Sequence, residues 1–148
     1  MTAIDAPFSG AALLQRAGLR VTAQRAAVLA ELHGHPHLSA DRLFSGLRER
    51  VPGIALPTVH SILGDLTAAG LVRRVSLPDA ASALYELQHA EDNHHHLQCV
   101  SCGRVEDVAC AVGVTPCLHP NHDHGMRILE ATVTFRALCA DCERAGNG

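Results

Sequence analysis

Residues 56–74 read LPTVHSILGDLTAAGLVRR. Pro57 suits the first turn of a helix, where its missing N–H is not needed, and Gly70 suits the left-handed residue that closes one. Between them Val59, Ile62, Leu63 and Leu66 form one apolar stripe. The stretch therefore predicts a helix with small polar residues at its N-terminus. It is followed at once by an arginine pair, Arg73 and Arg74, that enters a strand. The next residues, VSLPDAASALYEL (75–87), read as a hairpin around a Pro-Asp turn. Working backward, GAALLQRAGL (10–19) has helical spacing. Thr22 caps a helix carrying Ala26, Leu29 and Leu32 and ending at Gly34, and Ser39 caps another carrying Leu43, Phe44, Leu47 and Val51 before Pro52-Gly53 stops it. Short helices alone also describe a helical bundle with no nucleic-acid role. The order of helix, turn, helix with a small polar N-terminus, then an arginine-bearing hairpin favours a winged helix-turn-helix that binds DNA.

Charge divides the chain in the same place. Residues 1–84 carry eight Arg and six acids, and residues 85–148 carry four Arg and nine acids, so the parts bear +2 and −5 of the net −3. The first part suits an anionic partner and the second suits cations. With 47% hydrophobic residues, a mean hydropathy of +0.10 and only four aromatic side chains, the core is expected to be Leu, Val, Ile and Ala. The N-terminus lacks the basic and apolar regions of a signal peptide, and no apolar run approaches membrane-spanning length. A cytoplasmic location and no membrane partner are expected.

The polar run QHAEDN (88–93) marks a boundary. The expected organisation is a DNA-binding domain at 1–84, a linker at 85–93, and a metal-binding domain at 94–148. In the last, HHLQC and GRVEDVAC read as strands, and RILEATVTFRAL (127–138) alternates, with Leu129, Ala131, Val133, Phe135 and Ala137 on a buried face. The tail CADCERAGNG is expected to fray. A unit of this size has little core and needs a metal staple or a partner subunit. The fold class is α+β.

The stretch HHHLQCVSCG (94–103) sets three histidines against a Cys-x-x-Cys pair. Cys99 and Cys102 form one such turn and Cys139 and Cys142 another. Each turn aims two thiolates at one centre, and two turns complete a tetrahedron suited to structural zinc. The competing readings are local redox disulfides or ordinary buried thiols, both less suited to paired C-x-x-C turns in a reducing compartment. Cys110 and Cys117 are left over as buried residues, a reversible disulfide or an added metal thiol. Along a strand His94 and His96 face one way and His95 the other. His94 and His96 can therefore share a second centre, with Glu86, Asp107 and His37 as candidate co-ligands. Imidazoles with carboxylates suit Fe(II), Mn(II) or Zn(II), and two carboxylates lean toward iron or manganese. A solvated histidine run is the plain alternative. HPNHDH (119–124) reads equally well as a histidine-rich loop or a metal site.

The chain resembles the ferric uptake regulator (Fur) superfamily across nearly its whole length. GLRVTAQR, HLSADRLF, LPTVHSILGDLTAAGLV, YEL, HHHLQCVSCGRVEDV and the closing CADC carry the resemblance. VEDVACAVGVTPCL and HGMRILEATVTF are similar to the actinobacterial, peroxide-responsive FurA branch, whose members repress catalase-peroxidase genes. The resemblance implies a winged-helix domain joined to a small α/β dimerisation domain, a homodimer, an inverted-repeat DNA operator and metal-dependent repression. It implies structural zinc on Cys99, Cys102, Cys139 and Cys142. It implies a regulatory Fe(II) or Mn(II) on His37, Glu86, His94, His96 and Asp107, with His89 competing for the place of Glu86 because the connection to Cys99 is longer than usual. Asp107, the acid after the Cys-x-x-Cys-Gly element, matches the peroxide-sensing branch, in which bound Fe(II) reacts with peroxide and oxidises its histidine ligands; the resemblance implies His37 and His94 as the targets here. The recognition helix usually reads TVYR and here reads TVHS, so Thr58, His60 and Ser61 are the expected base contacts, with Arg20, Arg25, Arg73 and Arg74 on phosphate or the minor groove. An iron- or zinc-uptake regulator of the same family is the alternative. A zinc hydrolase is disfavoured, since no H-E-x-x-H occurs and the cysteine site is closed. No enzymatic activity is expected.

Overall fold

The computed structural model describes residues 7–89, 94–110, 118–129 and 131–146. The chain forms two compact units, Met1–Ser76 with Ala81–His89 and Leu77–Ala80 with Ala90–Gly148.

The first unit holds α1 (Gly10–Arg16), α2 (Ala23–Gly34), α3 (Ala40–Leu47), α4 (Leu56–Ala68), β1 (Val72–Val75) and β2 (Leu84–Leu87). Its helices begin where side chains satisfy orphan N–H groups. The Ser9 hydroxyl accepts from Ala12 N, the Thr22 hydroxyl from Arg25 N and the Ser39 hydroxyl from Arg42 N. α4 has no side-chain cap and opens instead with Pro57, as its sequence predicts. α3 stops at Leu47, short of Pro52, because Arg50 and Val51 bond back to Leu47 O in a tighter turn. Leu14, Leu29, Leu32, Leu43, Leu47, Val59, Leu63, Leu66 and Val72 pack into one aliphatic core with virtually no exposure. α1 lies close on α2: a Cβ at Gly10 would stand 3.0 Å from Ala26 O. β1 pairs antiparallel with β2, placing Arg73 opposite Glu86 and Val72 opposite Leu87. Tyr85, Glu86 and Leu87 are thus strand residues, which corrects the expectation of a linker from 85 onward.

The second unit holds β3 (His94–Cys99), β4 (Val105–Ala109), β5 (Thr134–Ala137) and α5 (Ala140–Arg144). β3 is the middle strand, antiparallel to β4 and parallel to β5. Two expectations are corrected. Among the described residues the predicted strand over 127–138 is regular only at Thr134–Ala137, and its apolar face is only partly covered, with Ala131, Val133 and Ala137 half-buried but Leu129 69% and Phe135 48% exposed. The CADCER segment does not fray; it forms α5 with Cys139 at its N-cap. Among the described residues this unit buries only Leu77 and Cys99 of its apolar side chains, yet it buries His95, His96 and Gln98.

The caps and the core predict different magnitudes. Thr22→Ala should cost about 1 kcal/mol in chemical denaturation, whereas Leu63→Ala should cost about 2–5 kcal/mol because a fully packed site cannot collapse around the void.

Candidate metal centres

The register of β3 builds the second unit's donor sets. At its C-terminal end the chain turns sharply: Cys99 N donates to Arg104 O, Gly103 N donates to Cys99 O at 2.9 Å, and Gly103 takes φ 76, a left-handed conformation that suits glycine. Val100 N donates to Ala137 O, tying this turn to the end of β5 and so to the start of α5. The four sulfurs of Cys99, Cys102, Cys139 and Cys142 lie within 4.8 Å of one another. Zinc–sulfur bonds of about 2.3 Å at tetrahedral angles put sulfurs about 3.8 Å apart, and Cys102 Sγ stands 3.8 Å from Cys139 Sγ. Backbone N–H groups of Cys102 and Cys139, the latter 3.4 Å from Cys99 Sγ, bring the Cys99 thiol from its ordinary 9.0 down to about 6. Ser101 bonds to the Cys142 sulfur and favours its thiolate, but the neighbouring thiols and burial outweigh this and push Cys142 up to about 12. Four crowded sulfurs cannot all ionise alone, and a divalent ion removes that conflict. Without metal, the part of the fold's stability that depends on the Cys99 thiolate is complete above the unfolded thiol's value and is lost as pH falls through about 6.

Further along the same strand, His94 and His96 share one face. His96 pairs with Asp107 across β3–β4. Asp107 Oδ1 lies 3.4 Å from His94 Nε2 and 3.6 Å from His96 Nε2, and the two rings meet edge to face at 5.1 Å. These separations exceed good hydrogen bonds. Atoms about 2.1 Å from a common metal stand about 3.0–3.4 Å apart at octahedral to tetrahedral angles; the His94 separation meets that range and the His96 separation stands slightly outside it. His95, on the opposite face, packs edge to face with Phe135 at 6.4 Å.

The first unit holds a second N/O pair. Glu86 is buried, with Oε2 2.9 Å from His37 Nε2. Its Oε1 accepts from Arg73 Nε at 2.8 Å and also from Arg73 Nη2. His37 adopts φ 63, unusual for a residue with a Cβ, and its N–H donates to Tyr85 O at 3.0 Å. That anchorage beside β2 turns the imidazole to the Glu86 carboxylate. His89 is exposed and lines a different feature, a cavity of about 390 Å³ with Phe8, Leu13, Arg16, His33 and Leu87.

The DNA-contact candidates divide in two. Arg20, Arg74, His60 and Ser61 are exposed and Thr58 is half-buried. Arg25 bonds inside the unit, Nη2 to Asp65 Oδ2 at 2.6 Å and Nη1 to Arg20 O at 3.1 Å, and so braces α2 against the recognition helix α4. Arg73 is held by Glu86. Sequence reading missed this role, and the signal for it was the hairpin register that sets the two opposite each other. Cys110 is half-buried, and Cys117 lies outside the described residues. Of the loop histidines, the His122 and His124 rings lie 4.3 Å apart and tilted by 42°, with His122 Nδ1 accepting from His124 N.

The sequence profile of the ferric uptake regulator family matches residues 16–135. The chain belongs to that family. It is 43% identical over 129 residues to transcriptional regulator FurA of Mycobacterium tuberculosis, covering 87% of this chain and 86% of the relative. It is 46% identical over 130 residues to ferric uptake regulation protein 1 of Mycolicibacterium fortuitum, covering 88% and 78%. The manganese-bound ferric uptake regulator of Pseudomonas aeruginosa superposes with a TM-score of 0.65 at 25% identity, over 90% of this chain and 99% of that one. The Campylobacter jejuni peroxide stress regulator superposes at 0.63 and 26% identity, over 88% and 94%. Ferric uptake regulators are metal-dependent transcriptional regulators that bind DNA as dimers, and this chain is one of them. Its four-thiolate cluster resembles a structural zinc site, and its imidazole and carboxylate donors suit iron or manganese.

Cys99→Ser should abolish tightly bound zinc and unfold the second unit, while Cys110→Ser should retain zinc in full. Elemental analysis of dialysed protein, with near-ultraviolet circular dichroism, checks both.

Proposed function

We propose that this protein is a repressor whose hold on DNA is set by a regulatory metal and released by peroxide. The observation that carries this is the arrangement along β3, where His94 and His96 meet Asp107 on a nitrogen–oxygen face while Cys99 joins the thiolates. A chain with only a structural clamp has no use for the first set. The proposed ligands are His37 and Glu86 with His94, His96 and Asp107. When bound, Fe(II) would supply the redox chemistry toward peroxide. The chain's own contribution is to hold the imidazoles of His37 and His94 beside their carboxylates, so that oxidation of either ring weakens the site. The relative named FurA and the likeness to a peroxide stress regulator support the peroxide reading, and a catalase-peroxidase gene is the proposed target.

The exposed apolar side chains of the second unit, Phe135, Leu129, Met126 and Leu118, suit a second copy of the chain. A homodimer presents two copies of α4 to an inverted-repeat operator. Thr58, His60 and Ser61 would meet bases, and Arg20 and Arg74 would meet phosphate. Among the described residues no helix is long and apolar enough to cross a membrane, and the proposed place of action is the cytoplasm, with the DNA.

Electrophoretic mobility shifts with Fe(II), Mn(II), Zn(II) or chelator, with and without peroxide, test the proposal. Binding should require divalent metal and disappear after Fe(II) plus peroxide but persist after Mn(II) plus peroxide. Peptides containing His37 and His94 should then gain one oxygen by mass spectrometry. Equal binding by metal-free protein would sink the switch. Sensitivity to metal with none to peroxide would instead identify an uptake regulator, the reading favoured by the Mycolicibacterium relative. The two arginines should also separate. Arg74→Ala should lower the salt dependence of operator binding by about one unit of slope. Arg73→Ala should leave that slope unchanged and weaken the regulatory metal by roughly 10–100-fold through Glu86.

A further inference from the structure

Gln98 is 2% exposed, and its side-chain oxygen has no hydrogen-bond partner. A buried acceptor left unmet is costly, and it would be cheaper as Val or Leu in a strand otherwise short of apolar burial. Its position says what it is for. Strand alternation puts Gln98 on the face of His94 and His96, two residues beyond His96 and roughly 7 Å from it along the strand. A glutamine and a histidine side chain together span that gap. The other polar neighbours on this face are known from the register: Arg136 lies opposite Gln98 on β5 and Thr134 opposite His96. Arg136 already donates to Asp79 at 2.7 Å. His96 turns Nε2 toward Asp107, so Nδ1 is the nitrogen on the other side of its ring. A metal on Nε2 fixes the proton on Nδ1 and makes it an obligate donor.

We propose that Gln98 is a positioning residue for the regulatory metal, its buried amide oxygen accepting the Nδ1–H of His96 and holding that ring with Nε2 toward Asp107. The proposal rests on the regulatory-site reading above. Without a metal nothing fixes the His96 proton on Nδ1 and the acceptor is a liability, whereas a metal on Nε2 would satisfy it. Function and stability therefore pull in opposite directions at this one residue.

That opposition is the test. Zinc-replete full-length protein is titrated with Mn(II) and followed by electron paramagnetic resonance, and the chelator-treated protein is melted separately. Gln98→Leu should bind Mn(II) roughly 10–100-fold more weakly yet melt at or above the wild-type temperature without regulatory metal. Gln98→Glu, which restores an acceptor, should bind within about threefold of wild type. Unchanged Mn(II) affinity in Gln98→Leu, or equal weakening in both variants, would overturn the proposal, as would a Gln98→Leu melt lowered in step with affinity. His96→Ala separates the two levels. If it keeps wild-type Mn(II) affinity, the regulatory site itself is wrong. If it loses Mn(II) while Gln98→Leu does not, only the role of Gln98 fails.

Discussion

The two-residue period of a single strand governs the second unit. Because successive side chains on β3 leave opposite faces, its six residues set imidazoles on one face and the Cys99 thiol on the other without mixing them. His94, His96 and Gln98 take one face, and His95, Leu97 and Cys99 take the other. A one-residue slip of register would exchange the faces, sending the histidines to the thiolate side and Cys99 to the carboxylate side. The β3–β4 ladder, which sets His96 on Asp107, and the tie from Val100 to Ala137, which brings the second Cys-x-x-Cys turn to the first, are what prevent that slip. A unit with so few buried apolar side chains cannot fix its register by hydrophobic packing. The thiolate clamp therefore does for it what Leu14, Leu29, Leu63 and Leu66 do for the first unit.

In the first unit the corresponding constraint is electrostatic. Nε and Nη2 of Arg73 both donate to Oε1 and fix the orientation of the buried Glu86 carboxylate, leaving Oε2 to face His37. The arginine thus sits behind the carboxylate without occupying Oε2, the oxygen proposed to meet a metal. One of the two wing arginines gives two donors to Glu86, and Arg25 braces α4 through Asp65.

The helices of the first unit were legible because capping residues, apolar stripe and terminal glycines all agree locally. The same holds for the Cys-x-x-Cys turns and for β3, whose alternation assigns its own side chains. What was illegible depends on pairing between distant residues. Nothing near Arg73 announces Glu86, thirteen positions away, and nothing near Arg25 announces Asp65. The strand predicted over 127–138 failed for another reason. Its alternation is real, but an alternating pattern states only that one face avoids water, not that the same chain covers it. Leu129 and Phe135 keep the pattern while remaining exposed. Gln98 was passed over because a polar residue in a strand reads as solvent-facing until its burial is seen.

The two donor sets also divide the metals. Four thiolates favour zinc and bind it strongly enough to contribute folding energy, whereas imidazole with carboxylate holds harder ions more loosely. On the proposed reading, that difference makes the second set usable as a switch. A regulatory ion can shift the DNA-competent state only by the ratio of its affinities for the two states, and a hundredfold shift needs about 2.7 kcal/mol of difference. Such a difference is available only if part of the ligand set is incomplete in the competing state. Pairs already assembled within a unit, such as His37 with Glu86 or His96 with Asp107, bind alike in both states and supply no coupling. On the proposed reading the coupling would come from closing the full set around one ion, so residues that hold each pair in place would sharpen the switch by keeping a half-set rigid and weak rather than letting it adapt to the metal on its own.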